Sequence, residues 1–517
     1  MAGQRRTQGA RSRAGAAYDL AIVGGGTAGL VAAVIAGELG ARVALIERSA
    51  TGGDCLWTGC VPSKALIASA GLAQRFRTAD RLGLEPVEPR IDFSRVMDSV
   101  RAAREQIAPH DSPERLRRSG VEVIEAEGRL LGAGVVGAGG RRLAARAVLI
   151  ATGSRPLLPC IPGLAASSPL TTDTLWEIDE LPRRLVVLGG GATGCELAQA
   201  FARLGSKVTL VEAQAALLAN EEPEAQALVA RRLREEGVDV RLDARVTLVE
   251  SGEVKLEGSR ERASGAGAPP ADTALPCDRV LAVAGRRPVT EALGLETVGV
   301  ALDQDGAVRV DRRLRTTARG VYAAGDVIAA LPFTHVAAYH ARVAVTNALF
   351  RVPRSVDYSA VPWVTFTDPE VARVGMSEAQ ARSRFGSSVD VELQHYAELD
   401  RAVVAGEMDG FAKLVSGPRG RLVGATIVAP SAGEAVAELA ARIASRGSLA
   451  GLAEAVHAYP TFAEGPVRAA EERALRGWKS MPYRALTRSA LVALRGFDRA
   501  LDRGRGSPAR TATDSRD

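Results

Sequence analysis

Tyr18-Asp19-Leu20-Ala21-Ile22-Val23-Gly24-Gly25-Gly26-Thr27-Ala28-Gly29 is an apolar run of strand length that stops abruptly on glycines. An Ala-rich, helix-prone segment follows from Leu30 to Leu39, and a second apolar run, Val43 to Ile46, ends on Glu47. The order is strand, glycine turn, helix, strand, acid. Each glycine has a physical task in such a unit. Gly24 permits the tight turn, Gly26 lets a pyrophosphate approach the backbone, and Gly29 lets the helix pack closely on the sheet. The helix N-terminus then faces the phosphates, and Glu47, 18 residues beyond Gly29, is placed to accept from a ribose hydroxyl.

The same unit recurs 165 residues later. Leu185 to Leu188 leads into Gly189-Gly190-Gly191-Ala192-Thr193-Gly194, then a helix through Leu204, then Val208 to Val211 and Glu212. Gly189, Gly191, Gly194 and Glu212 thus repeat the parts played by Gly24, Gly26, Gly29 and Glu47. A second echo pairs Val148–Pro156 with Val280–Pro288, each a buried strand stopped at a glycine, Gly153 or Gly285. Two copies predict an α/β fold with two Rossmann-like dinucleotide-binding domains, two bound nucleotides, and electron transfer between them. Farther on, Val321-Tyr322-Ala323-Ala324-Gly325-Asp326 sets a carboxylate directly after a strand and a glycine.

The chain has 517 residues, too many for one hydrophobic core, with 46% hydrophobic and 24% charged residues, the proportions of a soluble globular protein. Its formal charge of +6 sits at the ends. Residues 1–17 hold four Arg and no acid, and residues 481–517 hold eight Arg against four Asp, so the body nets 6 − 8 = −2. That argues against a nucleic-acid groove, which needs a basic stripe on the folded surface. No apolar run spans a bilayer, and residues 1–17 lack the apolar core of a signal peptide, so the expectation is a cytoplasmic protein with a disordered basic tail rather than a transit peptide.

Five cysteines are too few for a secreted disulfide scaffold. Cys160, Cys195 and Cys277 are widely spaced and read as small buried hydrophobes. Cys55 and Cys60 differ. They lie in Gly52-Gly53-Asp54-Cys55-Leu56-Trp57-Thr58-Gly59-Cys60-Val61-Pro62-Ser63-Lys64, at the start of an expected helix with Pro62 in its early turn. A helix N-terminus and a nearby lysine stabilise a thiolate, and two thiols here can close a small ring. Zinc would need four ligands, and no second Cys or His cluster exists, so no metal site is expected.

With two dinucleotide fingerprints and C-x4-C-V-P-S-K, the chain resembles the class I pyridine nucleotide-disulfide oxidoreductases over roughly residues 18–480. The resemblance implies an FAD site at the Gly24 unit, Glu47, Gly153 and Asp326, and a nicotinamide nucleotide site at the Gly189 unit, Glu212 and Gly285. It implies that Cys60 is the thiol beside the flavin, Cys55 the one that meets substrate, and Lys64 a flavin neighbour paired with Glu196. Thr334-His335-Val336-Ala337 resembles the helix start that faces the flavin pyrimidine, which places Ala337 at the cofactor. Electrons would pass from NAD(P)H through FAD to the Cys55–Cys60 pair and on to a small acceptor. Glu212 would repel a 2′-phosphate and accept from a free 2′-hydroxyl, so NADH is expected over NADPH.

The disulfide-reducing members carry His-Pro-Thr-x-x-Glu, whose His, supplied by the partner subunit of a homodimer, protonates the leaving thiolate. Here the segment reads Tyr459-Pro460-Thr461-Phe462-Ala463-Glu464. Glu464 is in register, but Tyr459 replaces the His, and a phenol is poorly matched to proton transfer near neutral pH. His457 is expected to be packed or solvated rather than a substitute. A tyrosine here is similar to mercuric reductases, and a soft metal ion held by two thiolates needs no proton donor. Mercuric ion or a related small acceptor is therefore expected, although no cysteine lies beyond Cys277 to hand it over. The alternatives are a dihydrolipoyl dehydrogenase-like disulfide reductase and a flavin redox sensor without dedicated turnover.

The expected organisation is an FAD-binding part at 18–155, an inserted NAD(P)-binding domain at 156–285, a return to the FAD-binding domain at 286–355, and a dimerisation domain at 356–480. Residues 265–270 are expected to form a surface insertion. In residues 481–517, Ala490, Leu491, Leu494, Phe497 and Leu501 fall at helical spacing with arginines on the remainder, and docking on the body or solvation is expected rather than a membrane contact.

Overall fold

The computed structural model describes residues 17–250, 252–258, 273–479 and 481–504. Residues 1–16 and the 265–270 insertion lie outside the described residues. The first sheet is built around Tyr18–Val23, which pairs in parallel with Val43–Glu47 on one side and Arg141–Ile150 on the other. Val121–Glu125 extends it in parallel beyond Val43–Glu47, and Val321–Ala323 joins Arg141–Ile150 in parallel. The central strands are apolar, and the helices Thr27–Glu38 and Thr334–Phe350 pack on each other and against the sheet. Leu20, Ala21, Ile22 and Leu45 are all buried.

A second sheet carries Asp239–Arg241, Lys207–Val211, Arg184–Leu188 and Arg279–Ala282 in that order, all parallel. The chain passes between the two sheets through a short antiparallel ladder, in which Ser154–Pro156 pairs with Arg286–Pro288. The two echoed segments of the sequence are therefore partners: each is the hinge by which the chain leaves the first sheet or returns to it. A third unit is a five-stranded antiparallel sheet over residues 362–429, with its own core around Tyr396, Leu414, Ile427 and Leu439.

The helix Cys60–Arg77 packs across the first two units. Its Leu66 and Ala70 share a core with Leu197 and Phe201 of the helix Ala192–Arg203. This contact sets the cysteine pair against the second nucleotide unit. The helix Thr334–Phe350 packs on Thr27–Glu38 and points its N-terminus toward the same region.

One cysteine expectation needs correction. Cys195 and Cys277 are buried, but Cys160 is exposed. It lies between Pro159 and Pro162 in a stretch without strand or helix, so nothing is layered over it. Residues 481–504 form one helix, and Leu486, Leu494 and Phe497 on it are exposed rather than docked on the body.

Candidate active site

The two glycine loops share one geometry. Gly24 has φ +109°, and a Cβ there would stand 2.3 Å from the Ala151 carbonyl oxygen. A Cβ on Gly29 would stand 1.9 Å from the oxygen of Gly24, so helix and turn touch backbone to backbone. Gly26 is different: the nearest atom to its Cβ position is Gly53 Cα at 3.8 Å. The second copy repeats this, with φ +112° at Gly189, a 1.8 Å approach at Gly194, and nothing within 4 Å at Gly191. In both loops the outer glycines are demanded by the protein itself, while the third-position glycine faces open room that could admit a pyrophosphate.

Glu47 and Glu212 do more than wait for a ribose. Glu47 accepts from Gly25 N–H at 2.6 Å and Ser49 N–H at 2.7 Å. Glu212 accepts from Gly190 N–H at 2.6 Å and Gln214 N–H at 2.8 Å. The carboxylate thus ties the end of its strand to the glycine turn. Gly25 and Gly190 were not singled out in the sequence, yet a Cβ on Gly25 would stand 3.0 Å from Glu47 Cβ, and one on Gly190 3.0 Å from Glu212 Cβ. The signal was present as three consecutive glycines in each copy.

At the same sheet end Asp326 accepts from Ser154 Oγ at 2.9 Å, next to Gly153 with φ +70°. Arg286 Nε donates to Ser154 Oγ at 2.8 Å, and its guanidinium also contacts Asp54, just before Cys55. Gly285, with φ +150°, precedes that arginine, so the second echo delivers a cation to the first nucleotide unit. Gly325 N–H donates to His340 Nδ1 at 3.2 Å, and His340 Nε2 lies 2.8 Å from the Tyr358 hydroxyl. Burial holds His340 neutral, its pKa pushed down to about 4. Ala337 is buried near Gly325, whose Cβ position is 3.5 Å from Ala337 Cβ.

Cys55 sits on the short helix Gly53–Trp57, and Cys60 opens the helix Cys60–Arg77. Both are thiols, Cys55 half-buried and Cys60 exposed. Cys60 is held well below the usual thiol range, to about 6, first by a hydrogen bond from Cys55, with the Thr334 hydroxyl and the Lys64 charge acting the same way against burial. Cys55 is pushed up by its hydrogen bond to Cys60, by burial, and by the charge on Cys60. Of the two, Cys60 is the thiolate and Cys55 keeps the proton. Thr334 Oγ1 stands 3.3 Å from Cys60 Sγ. The sequence reading assigned that helix start a backbone role and missed this hydroxyl, because the 274 residues between them carry no local signal.

Lys64 Nζ donates to Glu196 Oε2 at 2.9 Å, and Glu196 Oε1 accepts from Phe366 N–H at 2.8 Å. Glu196 is 4% exposed and lies inside the helix–helix contact rather than on a solvated face. Lys64 also stands over the Phe366 ring, 4.4 Å from its centroid.

The third unit holds the remaining candidates. Tyr459 is exposed and donates to Asp400 Oδ2 at 2.6 Å, and that carboxylate holds the phenol above its ordinary pKa. Glu464 is buried and accepts from Thr461 N–H at 3.0 Å. His457 is engaged on both ring nitrogens within its own subunit, by Glu438 at 2.8 Å and the Ala455 carbonyl at 2.9 Å.

Residues 18–341 match the family described as pyridine nucleotide-disulphide oxidoreductase, and residues 361–470 match its dimerisation domain. The chain belongs to the pyridine nucleotide-disulphide oxidoreductase family. It is 36% identical over 461 residues to a mercuric reductase of Streptomyces lividans, covering 88% of this chain and 96% of that one. It is 33% identical over 456 residues to a dihydrolipoyl dehydrogenase of Geobacillus stearothermophilus, covering 87% and 95%. Among solved structures, the Cu(II) complex of the HOCl-induced flavoprotein disulfide reductase RclA from Escherichia coli superposes with a TM-score of 0.75 at 29% identity, covering 86% of this chain and 98% of that one. LpdA from Mycobacterium tuberculosis superposes with a TM-score of 0.78 at 28% identity, covering 88% and 99%. As a pyridine nucleotide-disulphide oxidoreductase, the chain is an α/β protein with FAD- and NAD-binding domains and a C-terminal dimerisation domain, acting as an NAD(P)H-dependent flavin disulfide oxidoreductase.

Proposed function

We propose that this oxidoreductase uses NADH to reduce a thiophilic metal ion, mercuric ion or a related soft cation, bound as substrate by Cys55 and Cys60. The observation that carries the reading is the tyrosine whose hydroxyl donates to Asp400 at 2.6 Å, at the place where the disulfide reductases use histidine, together with a dithiol whose Cys60 sulfur lies 3.3 Å from the Thr334 hydroxyl. A mercuric ion takes two sulfur ligands and two electrons, and it displaces the Cys55 proton on binding. A disulfide acceptor would instead need a proton delivered to its leaving thiolate. The names of the Streptomyces relative and of the copper-bound RclA structure support the same class of acceptor.

The chain's residues fit FAD at the first unit and a nicotinamide nucleotide at the second. Gly24, Gly26 and Gly29 with the N-terminus of the helix Thr27–Glu38 would hold the FAD pyrophosphate, Glu47 its ribose, and Asp326 its ribityl chain. Gly189, Gly191, Gly194 and Glu212 would hold NADH. Bound FAD would supply the two-electron relay between pyridine nucleotide and thiols. The residues do the rest. Glu196 pins the Lys64 ammonium, Lys64 and Thr334 stabilise the Cys60 thiolate, and Cys55 presents the exchangeable thiol. In balance, NADH gives up a hydride, one mercuric ion gains two electrons (or two cupric ions gain one each), and one proton is released. A homodimer in which Tyr459 and Glu464 face the other copy's cysteine pair, and a cytoplasmic location, are part of the proposal.

The second reading, a dihydrolipoyl dehydrogenase-like reductase, is favoured by the buried Glu464 in register and by the Geobacillus relative. An anaerobic NADH titration of the purified flavoprotein, then turnover with mercuric and cupric ions, lipoamide, glutathione disulfide and quinones, tests both. Turnover of metal ions well above lipoamide supports the first reading, and the reverse order replaces it with the second. Reduction that stops after one equivalent with every acceptor would sink both and leave a redox sensor.

A further inference from the structure

The helix Met481–Gly504 is unlike the others. It runs 24 residues, about 36 Å at 1.5 Å per residue. Leu486, Leu494, Phe497 and Leu501 are 67%, 58%, 63% and 50% exposed. With Ala490 they recur every three or four residues and so lie on one face. Arg484, Arg488, Arg495 and Arg499 occupy the other side. Among the described residues its packing is with the preceding helix, Glu464–Lys479, which leaves the apolar face uncovered.

We propose that this helix binds the surface of an anionic lipid bilayer, lying in its plane with the leucines and Phe497 in the acyl boundary and the arginines against lipid phosphates. Charge selects this occupant over a second copy of the helix. Between Met481 and Gly504 the sequence holds five Arg and two Asp, so helix-to-helix pairing would bring ten arginines together with four carboxylates to answer them. Lipid phosphates supply the missing countercharge. The body nets −2 and is repelled by such a surface, whereas residues 481–517 net +4, so attraction is confined to this end of the chain. No described helix is long and apolar enough to cross a membrane, which leaves the in-plane arrangement. A dimer would present two such helices, and two weak anchors on one particle bind far more tightly than one.

The test is flotation of the full-length flavoprotein with vesicles of phosphatidylcholine containing phosphatidylglycerol, and with phosphatidylcholine alone, at low and high salt. Binding should be at least about tenfold greater on anionic vesicles and should fall steeply with salt. The double variants Leu494→Glu/Phe497→Glu and Arg488→Glu/Arg495→Glu should each lose it by about tenfold or more while NADH oxidation is unchanged. Equal binding to neutral vesicles, retention of binding in the arginine variant, or no binding by the parent protein would overturn the proposal. If the parent does not float and the Leu494→Glu/Phe497→Glu variant has a smaller oligomeric mass than the parent, a second copy covers this face instead.

Discussion

Replacing Thr334 by Val removes one hydroxyl and preserves shape, so it isolates the contact with Cys60. A hydrogen bond to a charged group contributes about 1.5–3 kcal/mol when buried. Here the sulfur is exposed and the contact is 3.3 Å, so solvent screening reduces it to about 1 kcal/mol. At 1.36 kcal/mol per pKa unit, that is an upward move of about 0.7 unit. The Cys60 midpoint should therefore rise from about 6 to about 6.7. At pH 6.5 the thiolate fraction would drop from about three quarters to about two fifths, while at pH 8 both proteins stay almost wholly ionised. The assay is the pH dependence of iodoacetamide alkylation of the reduced protein, with modified Cys60 quantified by mass spectrometry. The midpoint is the quantity to read, because the plateau also reflects intrinsic nucleophilicity. Thr334→Ser keeps the hydroxyl and should restore the parent midpoint. An unchanged or lower midpoint in Thr334→Val, or an equal shift in Thr334→Ser, would refute the reasoning.

The two kinds of glycine should separate cleanly. Gly194→Ala forces a Cβ to 1.8 Å from Gly189 O and should cost about 1–3 kcal/mol or more, seen as a Tm several degrees lower. Gly191→Ala meets nothing within 4 Å, so Tm should hold while the KM for NADH rises about tenfold. Glu212→Gln keeps an acceptor for Gly190 N–H but removes a charge worth about 1 kcal/mol against a nearby phosphate, so kcat/KM for NADPH relative to NADH should rise about fivefold. His340 is neutral in the folded protein and protonates more readily when unfolded. Its depressed pKa therefore contributes stability that is present above 6.5 and is lost as pH falls toward about 4. Urea midpoints of the parent should fall across that window more steeply than those of His340→Gln.

The dinucleotide units were legible because their signal is local: strand, glycines, helix and acid fall within 30 residues, so one stretch of chain reports its own geometry. Lys64 and Glu196 were also paired by resemblance, and the structure brings them to 2.9 Å across 132 residues. What escaped was nonlocal. Nothing near Arg286 indicates that it reaches Ser154 and Asp54, because the contact exists only once the two echoed segments form a ladder. Thr334 was hidden for the same reason. Cys160 misled in the opposite direction, since composition says that a free cysteine is buried but cannot say that two prolines keep its segment irregular.

The site also solves a problem in charge placement. A lysine that lowers a thiol pKa would equally draw any other anion unless its own position were fixed, and its stem is flexible. Glu196 fixes it, but a buried carboxylate beside the site raises the Cys60 pKa, so the pair helps only if Lys64 is the nearer charge. The Lys64 charge lowers the Cys60 pKa while the Glu196 charge raises it, and Phe366 N–H neutralises part of the carboxylate on its far side. Glu196→Gln should then lower the Cys60 midpoint slightly, because the Phe366 ring still holds Lys64 in place. Alkylation of Cys60 against pH reads the sign directly, and an upward move would refute this by showing that the Glu196 carboxylate, not the Phe366 ring, holds the lysine.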